Sequence, residues 1–354
     1  MNSILIAEVE ELFLEEAQKE VEELTKCVVM PRSKTVLAIE TSKEEKTVSA
    51  LYYYSGLLKT LELELFFAEK KNFELSSDFF PFFEKKTFRV EAKTEGKKEL
   101  EMELGEKILD ILPSLTVDLR NAQITFFARE VGNKLLVSLD LTQFFLTQRP
   151  YKIHHNQNSL SADFANYLLR KMGRQNRRKA SFIDPSANLA DLILELVLRE
   201  EKFAKHLHNV SSLPYTKILK KKLLPPEKVK GSQNTYFAIV QHNKHFKELK
   251  ENIATLPFKI RVSQYEADWL DVKFKKNELD YVLSALPIFK DKEEWEKFID
   301  QFLYQTEFVC KHSITLLSPQ ALSKKVRQKY RLKTQFEEEI KRGEKKYILY
   351  CLEK

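Results

Sequence analysis

The stretch Ser181–Arg199, SFIDPSANLADLILELVLR, limits the fold more than any other part of the chain. It opens as a short apolar strand over Ser181–Asp184, turns at Pro185, and continues as an apolar helix from Ala190. Strand, short turn and helix in succession is the unit of open α/β sheets, which bind ligands just beyond the strand's carboxyl end. Such a turn ordinarily needs glycine, because a residue without Cβ lets backbone N–H groups close on a ligand. Here the turn reads Ser186-Ala187-Asn188-Leu189. The plan of a ligand loop is kept while its glycines are gone.

The same alternation continues downstream. Strand patterns at Thr235–Gln241, Phe258–Gln264, Asp280–Ala285 and Ser313–Ser318 are separated by helical ones such as Lys244–Thr255 and Glu293–Cys310. This predicts an α/β fold with a mostly parallel sheet covered on both faces. Thr334–Lys341 and Lys346–Leu352 flank Arg342-Gly343 and read as a hairpin, so the last strand should run antiparallel.

Upstream, residues 1–65 read as a small α/β subdomain of ferredoxin-like type. Ile4-Leu5-Ile6 is a strand, Glu8–Thr25 a helix with Phe13, Ala17, Val21 and Leu24 on one face, and Thr35–Ile39 and Thr60–Phe67 are strands. Residues 66–86 are rich in phenylalanine, which suits a hydrophobic seam better than a platform for bases. Thr87–Lys93 alternates as a strand, a helix runs from Glu99 to about Leu112, and Ala122–Glu130 and Lys134–Thr142 pair around Gly132-Asn133. A linker from Arg149 passes His154-His155 and enters a helix near Ser161. The domains expected are therefore 1–65, 66–148, a linker helix over 149–180, and 181–354.

Glycine numbers 7 in 354 residues, roughly 2% where ~7% is usual. No two are close enough to cradle a phosphate, which excludes Walker-type and dinucleotide fingerprints. The net charge of +7 is split unevenly. Residues 1–148 hold 19 Lys and Arg against 27 Asp and Glu, a net −8, leaving +15 for residues 149–354. Basic runs at Arg170–Lys179, Lys217–Lys222 and Lys324–Lys333 all fall in that second part and point to a polyanion partner. Cys27, Cys310 and Cys351 are odd in number and far apart, as reduced thiols are. With no signal-like start at Met1-Asn2-Ser3-Ile4 and no membrane-length apolar run, a cytoplasmic protein without membrane attachment is expected. Neither His206-Leu207-His208 nor His242–His245 has a third ligand at metal spacing, so no metal is expected.

Five parallel strands closed by an antiparallel hairpin is the plan of the class I methyltransferases that use S-adenosylmethionine. The segment TFRVEAKTEGKK (Thr87–Lys98), the helix after it and the run LDLTQFFLTQRPYK (Leu139–Lys152) resemble a THUMP domain with its exit linker. Asn158-Ser159-Leu160 and Ala165 resemble the helix leading into the catalytic domain. Over nearly its full length the chain resembles a THUMP-domain RNA methyltransferase, nearest to the tRNA guanosine-N2 group. The implied fold is an N-terminal THUMP-type α/β module followed by a class I methyltransferase-like domain.

The resemblance implies a site by position. The family's first cofactor motif, Asp-Pro-aromatic-Cys-Gly-Ser-Gly-Thr and a following Glu, keeps Asp184, Pro185 and Glu195 here. Its glycines fall on Asn188 and Ala190, its Ser on Leu189 and its Thr on Asp191, whose carboxylate would face the ligand's own. Asn188 in a left-handed conformation would partly imitate a glycine. The acid that holds the ribose falls on Gln241, and the third motif's acid remains as Asp268. The catalytic Asn/Asp-Pro-Pro-aromatic motif falls on Ala285-Leu286-Pro287-Ile288, where Ala285 accepts no proton bond and Ile288 stacks no base. Ser284 is the nearest substitute.

These readings imply a tRNA-binding or other RNA-binding protein of this family with methyl transfer reduced or lost, and no catalytic residue. Asn188, Leu189 and Ile288 are then expected to fill the site, which leaves Asp184, Pro185, Asn188, Gln241 and Asp268 as vestigial contacts to S-adenosylmethionine. An active S-adenosylmethionine-dependent transferase would instead show an open hollow above Pro185 and Pro287. The RNA-binding member would act as a tRNA-binding factor or as a partner that positions another protein; a structural interaction protein without an RNA role is the remaining alternative. For RNA, the residues implied are Arg89, Lys93, Lys97 and Lys98 in the first half, with Arg149, Lys152, Arg174, Arg177 and Arg178 as a ridge.

Overall fold

The structure, a computed structural model, describes residues 3–94, 96–156, 159–172, 179–206, 210–226, 233–256 and 262–354. The chain divides into two units, Met1–Arg149 with Ala204–Lys228, and Pro150–Phe203 with Val229–Lys354.

The first unit is built on strands β1 (Ser3–Glu8), β2 (Val28–Ser33), β3 (Val36–Thr41), β4 (Thr60–Glu69), β5 (Thr87–Ala92), β6 (Thr116–Val117), β7 (Ile124–Val131) and β8 (Lys134–Asp140). Helices α1 (Leu14–Thr25), α2 (Glu44–Tyr54), α3 (Phe80–Phe83) and α4 (Lys97–Ile111) connect them. All eight strands lie in one sheet, ordered β2-β3-β1-β4-β8-β7-β5-β6, and only the β5–β6 and β5–β7 pairs are parallel. The antiparallel β4–β8 pair joins the two halves that the sequence pattern separates at residue 65.

α1 starts later than its apolar spacing suggests. Glu8 still belongs to β1, a single 3-10 turn covers Glu11–Phe13, and the helix proper begins at Leu14. Phe13, Ala17 and Val21 are nevertheless buried on one face, which is why the periodicity is visible. The phenylalanine-rich stretch is a half-buried seam anchored by Phe83, with Phe66, Phe67, Phe73, Phe79, Phe80 and Phe82 partly buried. Phe83 is fully buried and meets Phe126 edge-on at 5.5 Å, while Phe66 meets Phe73 at 5.2 Å.

The second unit begins with α5 (Ala162–Lys171), β9 (Ser181–Asp184) and α6 (Asp191–Glu200). The chain then supplies residues 204–228, including α7 (Pro214–Lys217), to the first unit. There Lys205 N–H reaches the Tyr53 carbonyl at 2.7 Å and Leu224 N–H reaches Ser49 Oγ at 2.8 Å. The second unit resumes with β10 (Thr235–Val240), α8 (Asn243–Ala254), β11 (Val262–Glu266), β12 (Leu279–Ala285), α9 (Lys292–Val309), β13 (Cys310–Ser318), α10 (Lys324–Lys329), β14 (Lys333–Arg342) and β15 (Lys345–Glu353).

Its sheet runs β11-β10-β9-β12-β13-β15-β14. The first five are parallel and β15 is antiparallel to both β13 and β14, as the hairpin pattern predicts. Order reverses beside β9, which makes the ends of β9, β10 and β12 the switch point where such sheets hold ligands. Phe182 of β9 stacks between Tyr236 and Tyr281 at 5.7 and 5.1 Å, filling the sheet's centre with aromatic area. Gly343 takes φ +58° in the β14–β15 turn, a conformation that glycine adopts without strain.

Candidate functional site

The loop after β9 keeps the course of a ligand loop. Asp184 ends the strand buried, and its Oδ1 accepts Ser186 N–H at 3.1 Å and Ser284 O–H at 2.9 Å. Burial pushes its carboxyl up to about 7, against the lowering effect of those two donors. Ala187 N–H bonds the Ile239 carbonyl at 2.9 Å, which ties the loop to β10. Ala190 caps α6 with φ +54° and ψ +33°. An L-residue there costs roughly 1–2 kcal/mol. Ala190 therefore holds a glycine's backbone at a penalty, whereas Asn188 is not among the left-handed residues.

Beyond these strand ends lies an open cavity of about 1050 Å³. Asp184, Pro185, Asn188, Gln241, Asp268, Ala285, Pro287 and Ile288 all line it, whereas the motif positions Ala190 and Glu195 do not. The expectation that side chains fill this space is overturned. Leu189 is fully buried, Ile288 is 58% exposed, and Asn188 exchanges amide hydrogen bonds with Asn156.

At the α6 end a strap formed by residues 150–156 and 159–160 lies against the loop. Tyr151 O–H donates to Glu195 Oε1 at 2.7 Å, and Glu195 is wholly buried. Lys152 Nζ lies 2.7 Å from Asp191 Oδ1, and Leu160 N–H donates to Asp191 Oδ2 at 2.7 Å. Asp191 is thus a paired carboxylate, not the bare charge the sequence suggests. Burial raises its pKa and Lys152 opposes that rise. None of these ties is visible in the motif itself; the apolar spacing of Glu195 on a buried helix was the only hint.

The opposite end offers hydrogen-bonding groups for hydroxyls. Gln241 Nε2 donates to Asp268 Oδ2 at 2.9 Å, which leaves the Gln241 carbonyl oxygen as an acceptor. Asp268 Oδ1 takes Leu270 N–H at 2.9 Å and caps a short 3-10 turn. Asn243 bonds both oxygens of Glu266 at 2.9 Å, beside His242 and His245. These last two rings meet edge-on at 5.5 Å. Among the described residues no group of three or more His, Cys, Asp or Glu is placed to hold a metal ion.

The corner at the end of β12 carries no side-chain oxygen. Ala285 and Pro287 face the cavity, and Ser284, the nearest hydroxyl, is buried and donates to Asp184 instead. Phe289 lines the cavity too, but its ring packs against Phe298 at 4.9 Å and Trp295 at 6.0 Å. S-adenosylmethionine, which the sequence resemblance implies, is therefore matched at its nucleoside end. It is not matched at its carboxylate end, where Asp191 stands.

The residues expected to touch RNA separate into three groups. Lys97 and Lys98 are exposed on the first turn of α4, beside Glu99. Arg89 donates to Thr125 Oγ1 at 3.2 Å and Lys93 pairs with Glu91 and lies over the Phe127 ring. Arg149 and Lys152 are corrections to the ridge. Arg149 is 5% exposed and bonds the carbonyls of Leu146 and Gly56 and the ring of His206. Lys152 is spent on Asp191 and the Leu160 carbonyl. Buried cations satisfied by carbonyls and carboxylates offer no face to a phosphate. Arg174, Arg177 and Arg178, like Asn158 and His208, lie outside the described residues. No helix among the described residues is long and apolar enough to cross a membrane.

No family model matches the sequence, and no curated protein matches it. Solved structures do. A possible methylase from Clostridium difficile 630 aligns with TM-score 0.73 and 11% identity over 99% of this chain and 98% of its own. TrmN from Thermus thermophilus aligns at 0.71 and 17% over 99% of both chains. SMU.472, named a candidate methyltransferase and complexed with SAH, aligns at 0.70 and 10% over 99% and 97%. At such identities the likeness speaks for the fold, and the fold is that of class I methyltransferases.

Proposed function

We propose that this protein is an RNA-binding member of the THUMP methyltransferase group, nearest to the tRNA guanosine-N2 enzymes, whose methyltransferase-like unit still binds a nucleoside-type ligand but has lost or reduced transfer to exocyclic amines. One observation carries the reading. The catalytic corner of the cavity presents Ala285 and Ile288, neither of which carries a side-chain oxygen. Methylating an exocyclic amine needs oxygens that accept its N–H protons, so that the nitrogen lone pair is aimed at the methyl group. Ala285 has none to offer. RNA as the partner is supported by the +15 balance of residues 149–354 and by the exposed Lys97 and Lys98.

A second reading, an active S-adenosylmethionine-dependent transferase, is favoured by the open cavity and by Ala190 in a glycine's conformation. Two measurements decide between them. Tritiated methyl incorporation into unmodified tRNA should stay at background, and a gel shift with the same tRNA should show binding that weakens steeply with salt. Incorporation abolished by Asp184→Ala would establish the transferase. Absence of any salt-dependent shift would remove RNA from the account.

A further inference from the structure

The α6 end of the cavity is built against a carboxylate. A helix N-terminus with open amides ordinarily receives an anion. Here the first residue of α6 is itself an acid, Asp191, which lines the cavity and is 7% exposed. Its two oxygens are fixed from one side by the strap, Oδ1 by Lys152 Nζ and Oδ2 by Leu160 N–H, both at 2.7 Å. Lys152 is wholly engaged in this, with a further bond to the Leu160 carbonyl. A ligand's carboxylate brought beside Asp191 would meet an acid whose own donors, Lys152 and Leu160 N–H, are already engaged, and neither donor is left for it.

The remaining cationic wall residues belong to other elements. Lys297 lies on α9, Lys345 begins β15, and Arg342 at the end of β14 stands 3.7 Å from Asp163 Oδ1 with its guanidinium over the Phe164 ring. The far end, by contrast, keeps Gln241 and Asp268 for hydroxyls.

Resting on the reading above that the cavity holds a nucleoside, we infer that it selects ligands whose 5′ substituent lacks a carboxylate, with Asp191 as the discriminating residue. A tail without a carboxylate asks for no such donor.

The test compares two probes that differ in one group. S-adenosylhomocysteine carries the carboxylate; S-adenosyl-3-thiopropylamine is the same molecule without it. Titration calorimetry on the full chain should give at least tenfold tighter binding of the decarboxylated probe, and Asp191→Thr should shrink that ratio to near one. Equal or tighter binding of S-adenosylhomocysteine to the unmodified protein overturns the inference and leaves the nucleoside reading standing. Binding of neither probe nor of adenosine overturns both. Because the decisive comparison uses the unmodified chain, a variant that folds poorly does not blunt it.

Discussion

Ser284 donates its hydroxyl proton to Asp184 across 2.9 Å, joining the end of β12 to the end of β9 at the floor of the cavity. The bond uses the hydroxyl that precedes Ala285 in the chain and gives Asp184 a partner in a buried place. Asp184 titrates at about 7 in the folded chain because burial disfavours its charge, with Asp191 adding a smaller push in the same direction. The unfolded group titrates near its ordinary value of 3.8. Between about pH 4 and pH 7 the folded chain therefore holds a proton that the unfolded chain has released. Folding stability must fall as pH rises through that window, by at most on the order of 4 kcal/mol from this residue. Asp184→Asn removes the titration. Urea unfolding at pH 4, 5.5 and 7 should show the variant gaining on the wild type as pH rises, and a constant difference would deny the shifted carboxyl.

Ala190 offers a test of the loop alone. Its φ of +54° is strained for an L-residue, and Ala190→Gly should stabilise the fold by about 1 kcal/mol through relief of that strain, partly offset by glycine's greater unfolded entropy. The same change should leave nucleoside binding intact, since the backbone course is already a glycine's. A variant with a lowered melting temperature would show that Ala190 is not left-handed in solution.

What the sequence reveals follows from which forces act locally. The strands β9, β10, β12 and β13 are apolar runs buried on both faces, so their order and alternation with helices can be read directly, and Gly343 marks the closing turn. β2 and α2 escape such reading. β2 leaves Val28 and Met30 exposed, and α2 buries Thr47, Val48, Ser49, Leu51, Tyr52 and Tyr53 on so many sides that no single stripe stands out. The motif positions were legible because the resemblance to the methyltransferase family assigns them, with Asp184, Pro185, Glu195 and Asp268 kept as anchors. The open cavity was not, since spacing says nothing of where Leu189 and Ile288 point. Charge counting failed at Arg149 and Lys152 for a related reason: a formula charge does not record that its partner, His206 or Asp191, comes from 57 or about 40 residues away.

Arg129 pins the sheet of the first unit. Its guanidinium bonds both oxygens of the buried Glu62 at 2.6 and 2.7 Å and Glu8 at 2.9 Å, linking β7, β4 and β1. Removing one side of a buried ion pair strands the other charge, which costs roughly 3–5 kcal/mol. Arg129→Met should destabilise by that amount in urea. Adding Glu62→Leu should recover part of the loss, because the stranded carboxylate goes with it. A double variant as weak as the sum of two singles would mean that the charges do not interact.

Lys97 and Lys98 separate an RNA surface from a merely solvated one. Both are exposed on the first turn of α4, so replacing them with glutamate leaves the core untouched and even suits the helix N-terminus. Stability should stay within about 0.5 kcal/mol of the unmodified chain. If these lysines meet phosphates, tRNA affinity should drop about tenfold, and the slope of log affinity against log salt should shrink by about one to two units. Arg149→Ala provides the contrast. That side chain holds the carbonyls of Leu146 and Gly56 inside the first unit, so its loss should lower the melting temperature first. A Lys97→Glu, Lys98→Glu chain whose affinity and salt slope match the wild type would move the RNA contact away from α4 and onto the basic second part of the chain.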